Sequence, residues 1–391
     1  MKIILFILFS LSAATHAQDS VEKSFSLGTR GSYFMDLESI DNSLNFIHAK
    51  YRTERFLESA TLKTNLEVRA FDPTASDEKT FVDPVNVSLE LLFDKVSFQA
   101  GFLRYRFSET FGLQILDVAN PRDYSDYVLN DLAWAKRSVF GLNMQNRWER
   151  LEILWMLTLW GNGDRLPYQN SPFDLSQGSF GYEGGVIERP WFKNIEYGAR
   201  AKYLFESGLD LSVLAYHHNV RPANISLNLV GPLTFRLEEQ PHMVDSLGMA
   251  GSFVLEDWVL RGDALLTFKD LVQTSSYFFE EDEHFQFLIG IDRILDNWTI
   301  GGQLQSDFTY ERNFVGVKIE NARFEFWKPS IMAFVSDKHA DKWFQLKNSF
   351  EYQSWNLQVI YDYLDGDNST DALFGPYQSN DRVLVEIAKN Y

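Results

Sequence analysis

Between Phe107 and Val128 the chain reads FSETFGLQILDVANPRDYSDYV, a segment that carries Glu109, Asp117, Asp123 and Asp126, with Asp131 close behind. Phe111, Leu113, Ile115, Leu116 and Val118 are interleaved with these carboxylates. A connection lying in open water has no use for that apolar content. A connection folded against an apolar surface can bury it and turn its carboxylates toward an aqueous space. Pro121 stops any helical turn, and Asn120-Pro121 favours a reversal of the chain there. Charges of the opposite sign recur elsewhere at alternate positions: Lys63, Arg69, Arg104, Arg106, Arg200, Lys202, Arg261 and Arg382. Among them stand Glu67, Glu90, Glu196, Asp210, Asp263 and Glu386. If the 107–136 segment faces this basic set, a transverse field crosses the gap, able to order water and sort small solutes by charge and dipole. The expected constriction is Glu109, Asp117, Asn120, Asp123 and Asp126 on the loop. The expected wall is Arg69, Arg104, Arg106, Arg200, Lys202, Arg261 and Asp263. Mutual pairing of these charges is the simpler alternative, and Arg261 with Asp263 suits it, two apart on one face.

Covalent chemistry is poorly represented. The histidines are His16, His48, His217, His218, His242, His284 and His339, and none stands in a Ser-x-Gly or Asp-His frame that would supply nucleophile, base and orienting group. His217-His218 falls at the end of an alternating segment, one ring to each face. No zinc spacing, phosphate loop or nucleotide fingerprint is present, so no catalytic group, metal or cofactor is expected. The acidic run Glu280 to Glu283 reads as a solvated loop tip that could bridge lipopolysaccharide through divalent cations. A net charge of -18 argues against nucleic acid, whose phosphates need basic patches.

The elements that must hold these groups have a period of two. In ATLKTNLEVRA (60–70), Leu62, Thr64, Leu66 and Val68 alternate with Lys63, Asn65, Glu67 and Arg69. Val85–Phe93, Ile195–Phe205 and Trp298–Leu304 repeat the pattern. Successive strand side chains point to opposite faces, so each segment has one apolar and one wet face. Connections alternate in length. Short ones fall at Leu57-Glu58-Ser59, Asp94-Lys95, Trp148-Glu149-Arg150, Ser207-Gly208, Glu256-Asp257, Asp296-Asn297 and Ser354-Trp355. Long ones are expected at 72–84, 107–136, 162–192, 220–243, 269–283, 311–322 and 366–380. Short turns at one rim and long loops at the other predict an all-β, transmembrane antiparallel β-barrel whose third long loop enters the lumen. The count is about 18 strands if 330–336 and 342–353 form a hairpin, and 16 if they do not. Either leaves an aqueous interior. In the fifth strand, Phe102-Leu103 breaks the alternation and suggests a bulge.

Composition agrees. Aromatic residues are 15% of the chain, suiting girdles at two lipid–water interfaces. There is no cysteine, so an exported chain of this kind is held by a large core or by barrel closure. Residues 1–17 read as a signal peptide, with a charged start at Lys2, an apolar stretch from Ile3 to Leu11 and Thr15-His16-Ala17 before the cut. Residues 18–391 then form one barrel domain. No later stretch has the ~18–20 apolar residues a transmembrane helix needs.

The Gly101, Arg104, Gly112, Leu113, Leu116, Asp117, Val118, Asn120, Pro121 and Asp123 positions resemble a Gly-x-x-Arg strand followed by Gly-Leu-x-x-Leu-Asp-Val-x-Asn-Pro-x-Asp. That pattern is similar to a family of Gram-negative, porin-like outer-membrane proteins catalogued as a domain of unknown function. Its usual Trp-Gly-Glu is here Phe107-Ser108-Glu109, and in WVLRGDALLTF Asp263 stands where the family has Glu. LIGIDRILDNWTIGGQLQ and FGPYQSNDRVLVEIAKNY resemble a family hairpin and the family ending. The resemblance implies transport across the outer membrane, sometimes beside exporters of hydrophobic molecules. The expected function is a channel for small solutes. A gated channel for hydrophobic substrates, a surface receptor or a structural barrel are the alternatives, and a barrel hydrolase is disfavoured. Expected partners are outer-membrane lipid, lipopolysaccharide, small solutes and, through the strand ending at Tyr391, the barrel-assembly machinery. The outward faces leave monomer and homotrimer both open.

Overall fold

The computed structural model describes residues 21–34, 43–56, 61–72, 81–110, 114–123, 136–161, 164–165, 181–183, 195–220, 224–231, 234–240, 242–275, 278–321, 325–367, 378 and 381–391. The expected signal peptide, Asp126 and the Gly112-Leu113 pair lie outside them, as does the side chain of Arg69. The strands are β1 (Val21–Phe34), β2 (Ser43–Phe56), β3 (Thr61–Asp72), β4 (Phe81–Leu92), β5 (Val96–Leu103), β6 (Val139–Arg147), β7 (Leu151–Gly161), β8 (Gly181–Glu183), β9 (Glu196–Leu204), β10 (Leu209–Asn219) and β11 (Asn224–Gly231). They continue as β12 (Thr234–Gln240), β13 (Met243–Leu255), β14 (Trp258–Ser275), β15 (Phe278–Leu295), β16 (Trp298–Asp307), β17 (Arg312–Asn321), β18 (Trp327–Ser336), β19 (Lys342–Tyr352), β20 (Trp355–Asp365) and β21 (Arg382–Asn390).

Eighteen of these pair antiparallel with their neighbours in chain order, and the last returns to the first. β21 pairs β1 from Phe34↔Arg382 to Ser26↔Asn390. Beyond the ladder, Tyr391 N–H donates to Phe25 O at 2.7 Å, and the two rings lie 5.7 Å apart. The ring therefore has no free edge, as a sheet in hydrocarbon requires. β18 and β19 do form a hairpin, Trp327↔Phe350 to Val335↔Lys342, which sets the count at 18. β8, β11 and β12 make a separate three-stranded sheet in the connections.

The polarity of the ring is inverted relative to a water-soluble fold. In β13, Val244, Ser246, Gly248 and Ala250 are buried, while Leu247 and Met249 are about half exposed at 49% and 54%. Across the ring the exposed face carries Val213, Leu260, Ile289, Ile291, Val315 and Val317, and the covered face carries Glu196, Asp263, Asp292, Asp362 and Arg382. A continuous apolar exterior around a charged interior is stable only with hydrocarbon outside. Trp148, Trp258, Trp298, Trp327, Tyr352, Trp355 and Tyr391 gather at the short-turn rim as an interfacial girdle. The turns there are tight, with Glu256, Asp296 and Gln353 in the left-handed region. The last turn is Gln353-Ser354, one residue earlier than expected, because Trp355 belongs to the girdle at the start of β20.

Three further expectations are corrected. Residues 269–283 are not a loop: β14 and β15 are each 18 residues long and stay paired out to Ser275↔Phe278. His284 braces this extension, bound to Asp270 on one side and Asp307 on the other. Residues 311–322 are mostly β17, reached by a tight turn at 308–311. Its alternation is masked at Gly316, where a Cβ would lie 2.4 Å from the Phe334 ring, so the inward position is empty in sequence and filled in space. The bulge at Phe102-Leu103 is also absent. β5 pairs β4 and β6 without a register shift, and Leu103 points inward in phase with Ser97, Gln99 and Gly101.

Candidate functional site: the loop inside the barrel

The chain leaves β5 at Leu103 and re-enters the wall at Val139, and both side chains are buried inside the ring. Between them Tyr105, Phe107, Ile115, Leu116, Val118 and Ala119 form one buried cluster with inward residues of the wall: Met156 of β7, Leu214 and Tyr216 of β10, Ala250 of β13, Leu265 of β14 and Leu288 of β15. These wall positions share the inward register of the neighbouring ladders. Gly248 lets Leu116 approach, since a Cβ there would lie 2.6 Å from Leu116 Cδ2. The inner wall is apolar where the loop packs on it, and Phe334, Ile360, Leu364 and Leu384 are further buried apolar residues outside this cluster.

The loop residues expected at the constriction fall into two groups. Asp117, Asn120 and Asp123 lie inside the loop instead of facing the lumen. Asp117 accepts from Phe107 N–H at 2.5 Å and Ser108 N–H at 3.3 Å, and its other oxygen pairs with Lys136. Asn120 accepts from Tyr105 N–H at 2.7 Å and donates to Leu103 O and Arg137 O, tying the outgoing limb to the returning one. Asp123 pairs with Arg165 at 2.7 Å, both buried, and beside it Asp164 accepts from Arg122 N–H at 2.7 Å. A short polar side chain that caps several backbone groups is how an irregular segment can be buried at all. Leu116, Asp117, Val118, Asn120 and Asp123 of the quoted motif are thus the residues that fold this loop. Burial, followed by the Arg106 and Arg104 guanidiniums, pulls the Lys136 ammonium downward, and the Asp117 carboxylate in contact opposes them. Burial pushes the Tyr105 phenol above its ordinary range.

Glu109 behaves differently. Its carboxylate projects from the loop toward β9, 3.4 Å from Arg200 and 3.6 Å from Lys202, so a loop acid does meet a basic wall here. Arg200 also lies 5.8 Å from the Phe107 ring. Lys202 pairs with Asp210 at 2.7 Å. Asp263 is an anchor: it accepts from Glu109 N–H at 3.3 Å and Thr110 Oγ1 at 3.0 Å, which pins the loop to β14. Arg261 pairs with Asp292 at 2.8 Å, not with Asp263, and donates to Glu109 O at 3.3 Å. Arg104 and Arg106 are not on the wall. β5 ends before them, so they belong to the loop; Arg104 is 3.9 Å from Glu67 and Arg106 is exposed. Arg69 sits in β3 opposite His48 and Asp83 in the backbone register.

Below the loop lies a recess of about 160 Å³, lined by Arg106, Glu109, Thr110, Arg261, Asp292, Thr299, Gly301, Lys318 and Glu320. Asp292, Lys318 and Glu320 escaped the sequence reading, although strand parity from Arg261 through the ladders would have placed them inward. Two histidine settings were also not legible. His284 lies between Asp270 (2.7 Å) and Asp307 (3.0 Å), and His218 Nε2 meets Ser246 Oγ at 2.8 Å. Among the described residues no cluster of His, Asp or Glu is placed to hold a metal ion.

No protein-family model matches the chain, and no curated protein matches it. Similar solved structures include a mutant of Rh. blastica porin, at 9% identity over 95% of this chain and 100% of that one, with a TM-score of 0.47. A loop-deletion mutant of OmpT, an outer membrane protein of Vibrio cholerae, has 10% identity over 96% and 100% of the two chains, with a TM-score of 0.48. Salmonella typhi OmpF in complex with daunomycin has 11% identity over 95% and 98%, with a TM-score of 0.49. At such identities and scores a likeness carries no information on what this chain transports or binds.

Proposed function

We propose that the chain is a porin-like channel in the outer membrane of a Gram-negative bacterium, passing small hydrophilic solutes through a lumen narrowed by the 104–138 loop. The observation that carries this reading is the inverted polarity of the closed ring: apolar residues outside, charged residues inside, and a folded loop docked against the inner wall. A barrel of this strand number has room for an aqueous path, and the loop's buried braces hold it where solutes would pass. Glu109 against Arg200 and Lys202, with Arg106 on the loop's open side, supplies the field expected to sort them. Lipid and lipopolysaccharide around the outer face, and engagement of the assembly machinery by the strand ending at Tyr391, belong to the same reading.

Other readings have less support. A lateral route for hydrophobic substrates needs an opening in the wall, yet every neighbouring strand pair of the ring is hydrogen-bonded, with only local register shifts such as those at Glu67/Val68 and Phe140/Gly141. A hydrolase could use the Ser246–His218 pair, with His218 Nδ1 held by Asn219 O at 2.6 Å. Both side chains are almost fully covered, at 1% and 2% exposure, so no substrate atom could reach the hydroxyl.

Swelling of proteoliposomes in a graded series of neutral sugars is the test. Entry of the smallest sugars with a sharp size limit is expected. No entry of any solute through a correctly folded barrel overturns the proposal.

A further inference from the structure

We infer that the recess between the loop and β14–β17 is a binding site for a small zwitterionic solute of the α-amino acid class, its carboxylate on Arg106 and its ammonium on Asp292 and Glu320. The inference rests on the channel reading and names the solute that reading leaves open. The lining carries three cations, Arg106, Arg261 and Lys318, and three carboxylates, Glu109, Asp292 and Glu320, so its formal charge is zero. A simple anion entering it faces three carboxylates, and a simple cation faces three positive groups. A neutral sugar engages none of them by charge. A molecule with both signs at fixed separation gains from both at once.

The charges are not all spent on each other. Arg261 Nε is committed to Asp292 Oδ2 and its Nη1 to Glu109 O. Lys318 is committed to Glu320 Oε2 at 2.5 Å. Glu109 is drawn away toward Arg200 and Lys202. These pairs leave Asp292 Oδ1 and Glu320 Oε1 as open acceptors in the same recess, on β15 and β17 with Thr299 and Gly301 of β16 between them. Across from them, Arg106 is exposed and has no hydrogen-bond or ion-pair partner among the described residues. Its planar fork suits a carboxylate, which it can hold through two parallel bonds. Thr299 adds a hydroxyl to the lining, and Gly301 adds no side chain. Size sets the class further. About 160 Å³ is well below the roughly 300–1,000 Å³ of pockets for drug-sized ligands, so a single amino acid fits and an oligosaccharide does not.

The test uses the refolded full barrel in planar bilayers, with L-alanine and glycerol as probes. Neither carries net charge, so neither adds current, and a bound molecule interrupts the ion flow. A saturable fall in conductance with alanine, against a shallow non-saturating fall with glycerol, is expected. Arg106→Gln and Glu320→Gln are each expected to weaken the alanine effect on the order of tenfold, the loss of one charge-assisted contact. If the pore conducts but alanine acts no differently from glycerol, the site is overturned and the channel stands. An alanine effect that survives both substitutions overturns the assignment of these residues. A folded barrel that never conducts overturns the channel reading and the site with it.

Discussion

Replacing Asp117 by alanine is expected to release the loop without loosening the barrel. The carboxylate is the acceptor for two backbone N–H groups, Phe107 and Ser108, and the counter-charge of Lys136. Its side chain is 1% exposed and that of Lys136 is 12% exposed, so water cannot replace what is lost. Removing one member of a buried ion pair costs about 3–5 kcal/mol, most of it from the charge left behind. Gln114 Oε1, 2.9 Å from Lys136 Nζ, offsets a part of that. Taking about 3–4 kcal/mol, the ratio of docked to undocked loop falls by a factor of roughly 10² to 10³. The wall is untouched, because every ladder hydrogen bond of β5 and β6 is made between strands. Limited proteolysis measures loop release, and the heat-dependent mobility shift of the folded barrel reports the wall. Faster cleavage between 104 and 138, an unchanged shift and a higher, noisier single-channel current are expected. Cleavage and current both identical to the unmodified protein would refute the idea that Asp117 braces the loop.

Other perturbations follow from the same geometry. Glu109→Gln removes the acid beside Arg200, while Lys202 keeps Asp210, so the reversal potential in a salt gradient moves toward anion preference; movement toward cations contradicts the pairing. Asp362→Ala removes the carboxylate 2.9 Å from the Arg382 guanidinium, both side chains being 0% exposed; a loss of about 3–5 kcal/mol in denaturant unfolding is expected, and a shift below about 1 is contrary to it. Gly28→Ala drives a Cβ to 2.1 Å from His48 Nε2 beside the β1–β21 seam, and the overpacking is expected to cost about 1–3 kcal/mol in the same assay. Asp337, between β18 and β19, has its carboxyl held below the usual range by the Asn313 side chain and backbone N–H. Its contribution is present above the ordinary aspartate pKa and lost as pH falls through the lowered one, so the protection of the Asn313 amide relative to its intrinsic exchange rate falls only under acid.

Strand parity made the wall legible. A period of two propagates from any one inward residue to its neighbours, and it puts Arg200, Lys202, Arg261 and Asp263 on the inner face whatever the turns. The loop's placement was legible from apolar residues that a solvated loop has no use for. The roles of its carboxylates were not. Asp117 finds its donors in Phe107 and Ser108, and Asp263 finds its donors in Glu109 and Thr110, more than a hundred residues away in the chain. Spacing alone cannot tell a carboxylate that faces water from one that caps backbone groups. The length of β14 and β15 was hidden for a similar reason: the acidic run at Glu280–Glu283 reads as loop, while pairing across the hairpin and the His284 brace carry the ladder through it.

The central claim, that the loop lies in the path of ions through the barrel, is tested most directly by thiol modification. The chain has no cysteine, so Arg106→Cys introduces a single reactive group on the loop's open side. A charged methanethiosulfonate added to an open single channel is expected to lower its conductance in one discrete step, reversed by a reducing agent. Complete modification, verified by mass, with conductance unchanged would place the loop outside that path and contradict the account.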